Sequence, residues 1–581
     1  MKKMIMTLLL AALALALCLP ACAEETDKTA VETAPLMGLG TNLGNTFEAC
    51  DANQGNTGAE PTRYETLWGQ PVTTREMIHG LREAGFSTIR VPVAWMTNAS
   101  HLSSGDYTLD QAYIDRVAEV VRWALDEGMY VILNDHWDGG WYGMFGSESK
   151  ETRDLAMEAY RGMWSQLAEY FKEEGDHLIF EGANEEIGAR FDENSALYCN
   201  DSVNSYLNDD ERYALANQVN QAFVDTVRAA GGKNATRFLL IPGYGTNIDQ
   251  TCDSRFVMPK DSAKGKLFVS VHYYDPWSYC GENASAASAT RWGTKKDLQA
   301  MSESLSKMDK FTKAGYGVII GEYGALPAAD GVSKENSALY HQSFLNLCTV
   351  HGFVSCLWDT SGFYVRRNLS FADPAMAEVY ARFSAGRTKE EAQASFDAAV
   401  ESAPATFSAD AIQLTDEKVA AWIMWNDGGW AISYSVGDTY NPDAKTPGLK
   451  VTDVEITGEG TYTVGIDFTG TEQGYSAGVA FAALAIGNGE DLFPGYCIHI
   501  QECLINGEKY ALKGRPYTTS DDGHCTRANL FNEWVTKVPR DKARVLYGDL
   551  TGVSPTLINR NDPVISHIES IYITFVYAPR K

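Results

Sequence analysis

The stretch LIFEGANEE, residues 178–186, opens apolar and ends on an asparagine and two glutamates. A strand buried on both faces stays apolar along its length, so the polar end marks where this one leaves a core. The same shape recurs in GLGTNLGN (38–45), STIRVPV (87–93), YVILNDH (130–136) and FLLIPGYG (238–245). It recurs again in LFVSVHYY (267–274), GVIIGEYG (317–324) and FVSCLWD (353–359). Between these runs lie segments of helical period, among them TTREMIHGLREAG, DQAYIDRVAEVVRWALDEG and AYRGMWSQLAEYFKEEG, each closing on a glycine. Strand and helix alternating eight times predict an α/β fold whose parallel sheet closes into a (β/α)8 TIM barrel over residues 36–385. A doubly wound open sheet is the alternative.

Barrel enzymes carry their active sites at the C-terminal ends of the strands. The polar ends here supply Asn42 and Asn45, Arg90, His136, Asn184 and Glu185, His272 and Tyr274, Glu322 and Tyr323, and Trp358 and Asp359. Seven strands converging on one mouth are hard to explain as packing. Pleat alternation puts Glu181 on the same side as Glu185 but deeper, where a structural ion pair is expected, and turns Glu186 the other way.

The chain has 581 residues with 76 acidic against 48 basic, a net charge of -28 that repels phosphate backbones, so nucleic acid is not an expected partner. Residues 1–23 read as an export signal: two lysines, a short apolar run and ACA before acids. LPAC, ending at Cys22, also resembles a lipoprotein box, so the chain is expected to be secreted, with lipid anchoring at the cell surface through Cys22 as the alternative to release. No later run approaches the length of a membrane span. Of eleven cysteines, Cys18 and Cys22 lie in the signal, leaving nine with no Cys-x-x-Cys pairs. Cys50, Cys199, Cys252 and Cys280 are expected in loops on one face, as disulfides or as free thiols. Residues 386–405 read as a polar linker with some helix-forming content. From 406 to 581, short alternating runs such as TYTVGIDF and SIYITFVYA predict an all-β sandwich.

Two carboxylates across one cleft, Glu185 and Glu322, are what glycoside hydrolysis requires. Nucleophile elbow, phosphate-cradling glycine loop and HExxH pattern are all missing, and no cofactor or metal is expected. The segments ETLWGQP (65–71), GFSTIRVPVAW (85–95), VILNDHW (131–137), FEGANEE (180–186), VSVHYY (269–274), VIIGEYG (318–324) and LWD (357–359) occur in the order seen in glycoside hydrolase family 5, which the chain resembles over about residues 36–385. The resemblance implies a retaining endo-β-glycanase with Glu185 as acid/base and Glu322 as nucleophile. It implies that Asn184 binds the sugar 2-hydroxyl, that Arg90 and Tyr274 orient Glu322, that His136 and His272 line the catalytic subsite, and that Trp358 forms the platform beneath its sugar. Two departures stand out: Glu186 occupies the place of the family's usual proline, and His136-Trp137 that of a histidine pair. The first would raise the pKa of Glu185 if the side chains approach.

Nine of the 13 tryptophans fall in the barrel region, and the loop DHWDGGWYG offers Trp137 or Trp141 as a sugar platform beside glycines that admit a ligand. A β-1,4-glucan is the expected polymer, giving a secreted endo-β-1,4-glucanase; mannanase, xyloglucanase and a non-catalytic surface glycan binder are the alternatives. Trp422, Trp425, Trp430 and Trp534 make the C-terminal region either a glycan-binding module or a structural domain. The sequence says nothing of oligomeric state.

Overall fold

The computed structural model describes residues 28–51, 53–199, 207–282, 291–329, 331–404, 419–429, 431–436, 444–520 and 522–581. The export segment with Cys22, and Trp430, lie outside them. Two compact units result: one runs through Tyr273 and adds 303–323 and 345–393, and the other takes 274–302, 324–344 and 394–581.

The first unit holds all eight barrel strands: β1 Leu39–Asn42, β2 Thr88–Val91, β3 Tyr130–Asn134, β4 Leu178–Glu181, β5 Leu239–Pro242, β6 Leu267–Tyr273, β7 Gly317–Tyr323 and β8 Val354–Leu357. They close into one barrel in sequence order, and every neighbouring pair is parallel. The helices between them begin where side chains satisfy free amides: Asp110 accepts from Ala112 N at the start of Gln111–Asp126, and Ser149 from Thr152 N at the start of Lys150–Tyr170. In Gln111–Asp126 the stripe Tyr113, Ile114, Val117, Ala118, Val121 and Ala124 is buried, as the period-3.6 pattern requires. A helix over Ala30–Met37, ahead of the boundary expected at 36, packs Ala30, Ala34 and Met37 against Ile132, Ile179, Leu240, Phe268, Ile319 and Val354. That apolar plug fills one end of the barrel and leaves the polar side chains to the other.

The strands are shorter than their apolar runs suggest. Most polar ends lie just past the last paired residue, and β4 stops at Glu181, so Asn184, Glu185 and Glu186 sit in a bend rather than on a pleat. Alternation therefore did not decide where Glu185 points. The residues 389–402 of the expected linker form a helix, Lys389–Ser402.

The second unit contains two antiparallel five-stranded sheets. One is built on Val419–Asn426, Phe481–Ile486 and Thr526–Asn532, the other on Gly460–Asp467, Ser570–Pro579 and Tyr496–Ile505. A single apolar cluster, including Ile423, Trp425, Leu484, Val464, Ile573 and Phe575, draws on both sheets and makes them a sandwich. Trp422 and Trp425 belong to that core, whereas Trp534 is 59% exposed. All nine cysteines among the described residues are free thiols, Cys50 and Cys280 among the buried ones.

Candidate active site

Arg90, at the end of β2, is fully buried and organises the barrel mouth. A buried guanidinium is costly unless its charge and its N–H donors are met by acceptors around it. Its Nε donates to Glu181 Oε2 at 2.6 Å, Nη1 to Glu322 Oε1 and to Asn42 Oδ1 at 2.9 Å each, and Nη2 to Asn184 Oδ1 at 2.7 Å. Asn134 Nδ2 gives Glu181 a second donor at 3.1 Å, and Asn42 Nδ2 ties the hub to the carbonyls of Gly321 and Leu357 at 3.0 and 3.1 Å. Burial works against the Arg90 charge, but Glu181 and Glu322 outweigh it and raise its pKa. Glu181 is thus the structural ion-pair partner that its place in the wall suggested.

Glu322 and His272 pair across β7 and β6 just after a register shift, which sets the two side chains side by side. A Cβ on Gly321 would stand 3.2 Å from His272 Nε2 and 2.9 Å from Ser270 Oγ, so glycine lets the ring lie against β7. His272 Nδ1 is 2.9 Å from Glu185 Oε1 and 3.5 Å from Glu322 Oε2. Its Nε2 is buried without a hydrogen-bond partner among the described residues, while its Nδ1 donates to Glu185. One oxygen from Glu185, one from Glu322 and a nitrogen of His272 lie within 4.8 Å of one another, a convergence that could also hold a metal ion. Carboxylates of inverting pairs sit roughly 6.5–9.5 Å apart; retaining pairs are closer.

His136, after β3, lies with its ring parallel to that of Trp358 at 5.5 Å, and its Nε2 is 3.8 Å from Glu322 Oε1. Burial, with Arg90 and His272 adding to it, holds His136 well below the ordinary histidine pKa, hence neutral. Tyr274 follows β6 with its ring edge-on to Trp277 at 5.9 Å.

The charges differ from the expectation set by the sequence. Burial raises Glu185, but the His272 N–H, the His272 ring and Arg190 outweigh it and bring the pKa to about 2. Glu322 is raised, by burial first, against the pull of His272 and Arg90. Glu186 does not decide the shift at Glu185, which is downward; it is itself pushed to about 8, by burial first. In the ligand-free site the proton bias therefore favours Glu322 over Glu185.

Arg190 and Glu193, five and eight residues beyond Glu185, were not anticipated. Arg190 reaches Glu185 Oε2 and Glu193 Oε1 at 3.3 Å each, and Glu193 accepts from Trp137 Nε1 at 2.9 Å. An arginine shortly after an acid is the available signal, but a loop gives no period from which to infer contact. Trp137 is half-buried beside Trp68, ring centroids 6.3 Å apart, and Trp68 is 37% exposed. Trp141 departs from its expected role: its ring is fully buried against Tyr142 and Phe145 and offers no face to a sugar. The glycines beside it serve backbone packing, since a Cβ at Gly143 or Gly146 would collide with the carbonyl oxygens of Glu193 or Phe191.

Residues 50–363 match the family described as Cellulase (glycosyl hydrolase family 5). The chain belongs to glycosyl hydrolase family 5. This family 5 glycoside hydrolase is 33% identical over 362 residues to Endoglucanase A of Paenibacillus barcinonensis, a match covering 58% of this chain and 84% of that one. It is 32% identical to a xyloglucan-specific endo-β-1,4-glucanase of Bacteroides ovatus, covering 57% of this chain and 65% of the other. Among solved structures it is similar to a broad-specificity endoglucanase from Ruminococcus champanellensis with bound cellotriose, at TM-score 0.51 and 31% identity, over 62% of this chain and 99% of that one.

Proposed function

We propose that this family 5 hydrolase is an endo-β-1,4-glucanase acting with retention, in which Glu322 is the nucleophile and Glu185 the acid/base. The observation that carries the reading is the convergence of the two carboxylates within 4.8 Å, one bonded to Arg90 and the other to His272. In the first step a Glu322 oxygen attacks the anomeric carbon, the glycosidic C–O bond breaks with its electron pair on the leaving oxygen, and that oxygen takes the proton of Glu185. In the second, water attacks the anomeric carbon, gives a proton to Glu185, and the ester bond breaks with its electron pair returning to Glu322.

Substrate has to reverse the ligand-free proton bias. The side chain of Glu185 is 33% exposed, so a sugar that expels its water deepens the burial already acting on it and raises its pKa. Positive charge developing at the anomeric carbon favours the ionised form of Glu322. Asn184, oriented by Arg90, is assigned to the sugar 2-hydroxyl, His136 and His272 to the catalytic subsite, Trp358 to the platform beneath the sugar, and Tyr274 to support of Glu322.

Relatives named for endoglucanase and xyloglucan-specific activity, and a neighbour named for lichenase activity, support a β-glucan substrate. Initial rates on carboxymethylcellulose, barley β-glucan, xyloglucan and galactomannan test it; fastest turnover of galactomannan would overturn it. Glu185→Gln and Glu322→Gln are expected to remove nearly all activity while leaving the melting temperature close to wild type. We assign the chain to the cell exterior on its N-terminal segment; no described helix is long and apolar enough to cross a membrane. Residues 406–581 are proposed to hold the polymer through Trp534, and Trp534→Ala is expected to weaken pull-down on insoluble glucan without changing rates on soluble substrate.

A further inference from the structure

Glu186 is adjacent to Glu185 but is only 1% exposed. Its Oε2 accepts the N–H of Asn184 at 2.9 Å, so the side chain folds back past Glu185 to the residue before it and closes a small ring around the bend. That bend needs such a restraint: β4 ends at Glu181, and no pleat or helix fixes residues 184–186. The two residues it carries are the ones aimed at the cleft, Asn184 through Arg90 Nη2 at 2.7 Å and Glu185 through His272 at 2.9 Å.

The surroundings fit a carboxyl used for its shape rather than its charge. Its other oxygen, Oε1, is buried with no hydrogen-bond partner among the described residues, a costly position for an anion. Glu185 and Glu193 raise it further and Arg190 opposes them. Asp135, after β3, is raised in the same way, by burial first and then by Asp138 and Glu186, so this pocket disfavours further negative charge, and Tyr142 donates to Asp135 at 3.0 Å. A neutral carboxyl in this place restrains the bend without adding a negative charge beside the acid/base.

We propose that Glu186 is the positioning residue of Glu185, closing onto the Asn184 N–H so that acid and 2-hydroxyl ligand are presented to the sugar together. The proposal rests on Glu185 being the general acid, and a leaving-group comparison separates the two. kcat/KM would be measured on barley β-glucan, whose leaving oxygen needs a proton, and on 2,4-dinitrophenyl β-cellobioside, whose leaving group does not. Glu186→Ala, and Glu186→Asp, which keeps the carboxyl but loses its reach, are each expected to lower the glucan value about tenfold or more and the dinitrophenyl value far less. Glu186→Gln, which keeps an acceptor at the same reach, restores most of the glucan value. Equal losses on both substrates for the Ala and Asp variants, or none on either, overturn the proposal; should Glu186→Ala fail to fold, the contrast between Asp and Gln decides it. Glu185→Ala is the reference: if its losses do not depend on the leaving group, the acid assignment itself is at fault.

Discussion

Arg90 donates through Nη1 to Oε1 of Glu322 at 2.9 Å, with the arginine side chain fully buried and the glutamate's 7% exposed. Removing the guanidinium strands two carboxylates, since Glu181 depends on the same side chain at 2.6 Å. Breaking a buried ion pair from one side typically costs about 3–5 kcal/mol. Arg90→Met is therefore expected to destabilise the protein by about that amount in chemical denaturation, and to lower kcat on the order of 10²-fold, the usual effect of losing a preorganised donor. A variant with wild-type stability and turnover would remove Arg90 from the centre of the site.

The pH dependence of activity follows from what surrounds Glu185. Burial pushes its pKa up, but His272 and Arg190 carry it down to about 2 in the free enzyme. Replacing Arg190 with methionine deletes one of the lowering contributions, so Glu185 keeps its proton to higher pH. The alkaline limb of kcat/KM, which reports the free enzyme, is expected to move to higher pH in Arg190→Met. A limb that stays in place, or moves down, contradicts a working contact between Arg190 and the acid.

Stability should run the other way with pH. Glu48 and Glu186, 1% exposed each, have pKa values raised to about 7 and about 8, in both cases by burial first. For a raised carboxyl, the folded state holds a proton that the unfolded state has released between the ordinary pKa and the raised one. Stability therefore falls as pH climbs from the ordinary glutamate value near 4.5 through about 7 to 8. Melting temperatures across pH 4 to 9 are expected to decline through that window, and Glu186→Gln, which cannot ionise, to decline less. A wild-type curve that rises through the window would contradict the assigned burial.

The barrel was legible because its strands are buried on both faces, so each apolar run announces itself and each polar end marks the mouth. The length of those runs was less so: period-two alternation continues into a bend as readily as along a pleat, and β4 stops at Glu181, short of the catalytic glutamate. That Glu181 needs an ion-pair partner was readable, because a charge inside an apolar strand must be met; that Arg90 serves Glu181 as well as Glu322 emerges only in the fold. Arg190, Glu193 and the Asp135–Asp138–Glu186 group could not be read in this way, since their contacts are made within and between loops, where no local period encodes which side chains meet. The expected rise in the pKa of Glu185 beside Glu186 fails because the shift depends on His272, which stands 2.9 Å from Glu185 and 3.5 Å from Glu322.

Trp137 and Trp141, four residues apart in one glycine-rich loop, read alike in sequence and differ in the fold. Trp141 is fully buried against Tyr142, at a centroid distance of 4.3 Å, whereas Trp137 is half-buried, anchored by Nε1 to Glu193 at 2.9 Å, with Trp68 beside it. Truncating a core tryptophan typically costs about 3–5 kcal/mol in lost transfer energy and cavity formation. Trp141→Ala is accordingly expected to lower the melting temperature markedly, with activity lost in proportion to unfolded protein. Trp137→Ala is expected to leave the melting temperature nearly unchanged and to raise KM on polymeric β-glucan more than on a short aryl cellobioside, because a ring held by Glu193 and paired with Trp68, rather than by Glu185 or Glu322, is expected to meet the longer chain. Parallel thermal melts and two-substrate kinetics on both variants decide the matter; the reverse pattern, a stable Trp141→Ala with impaired binding, would return the platform to Trp141.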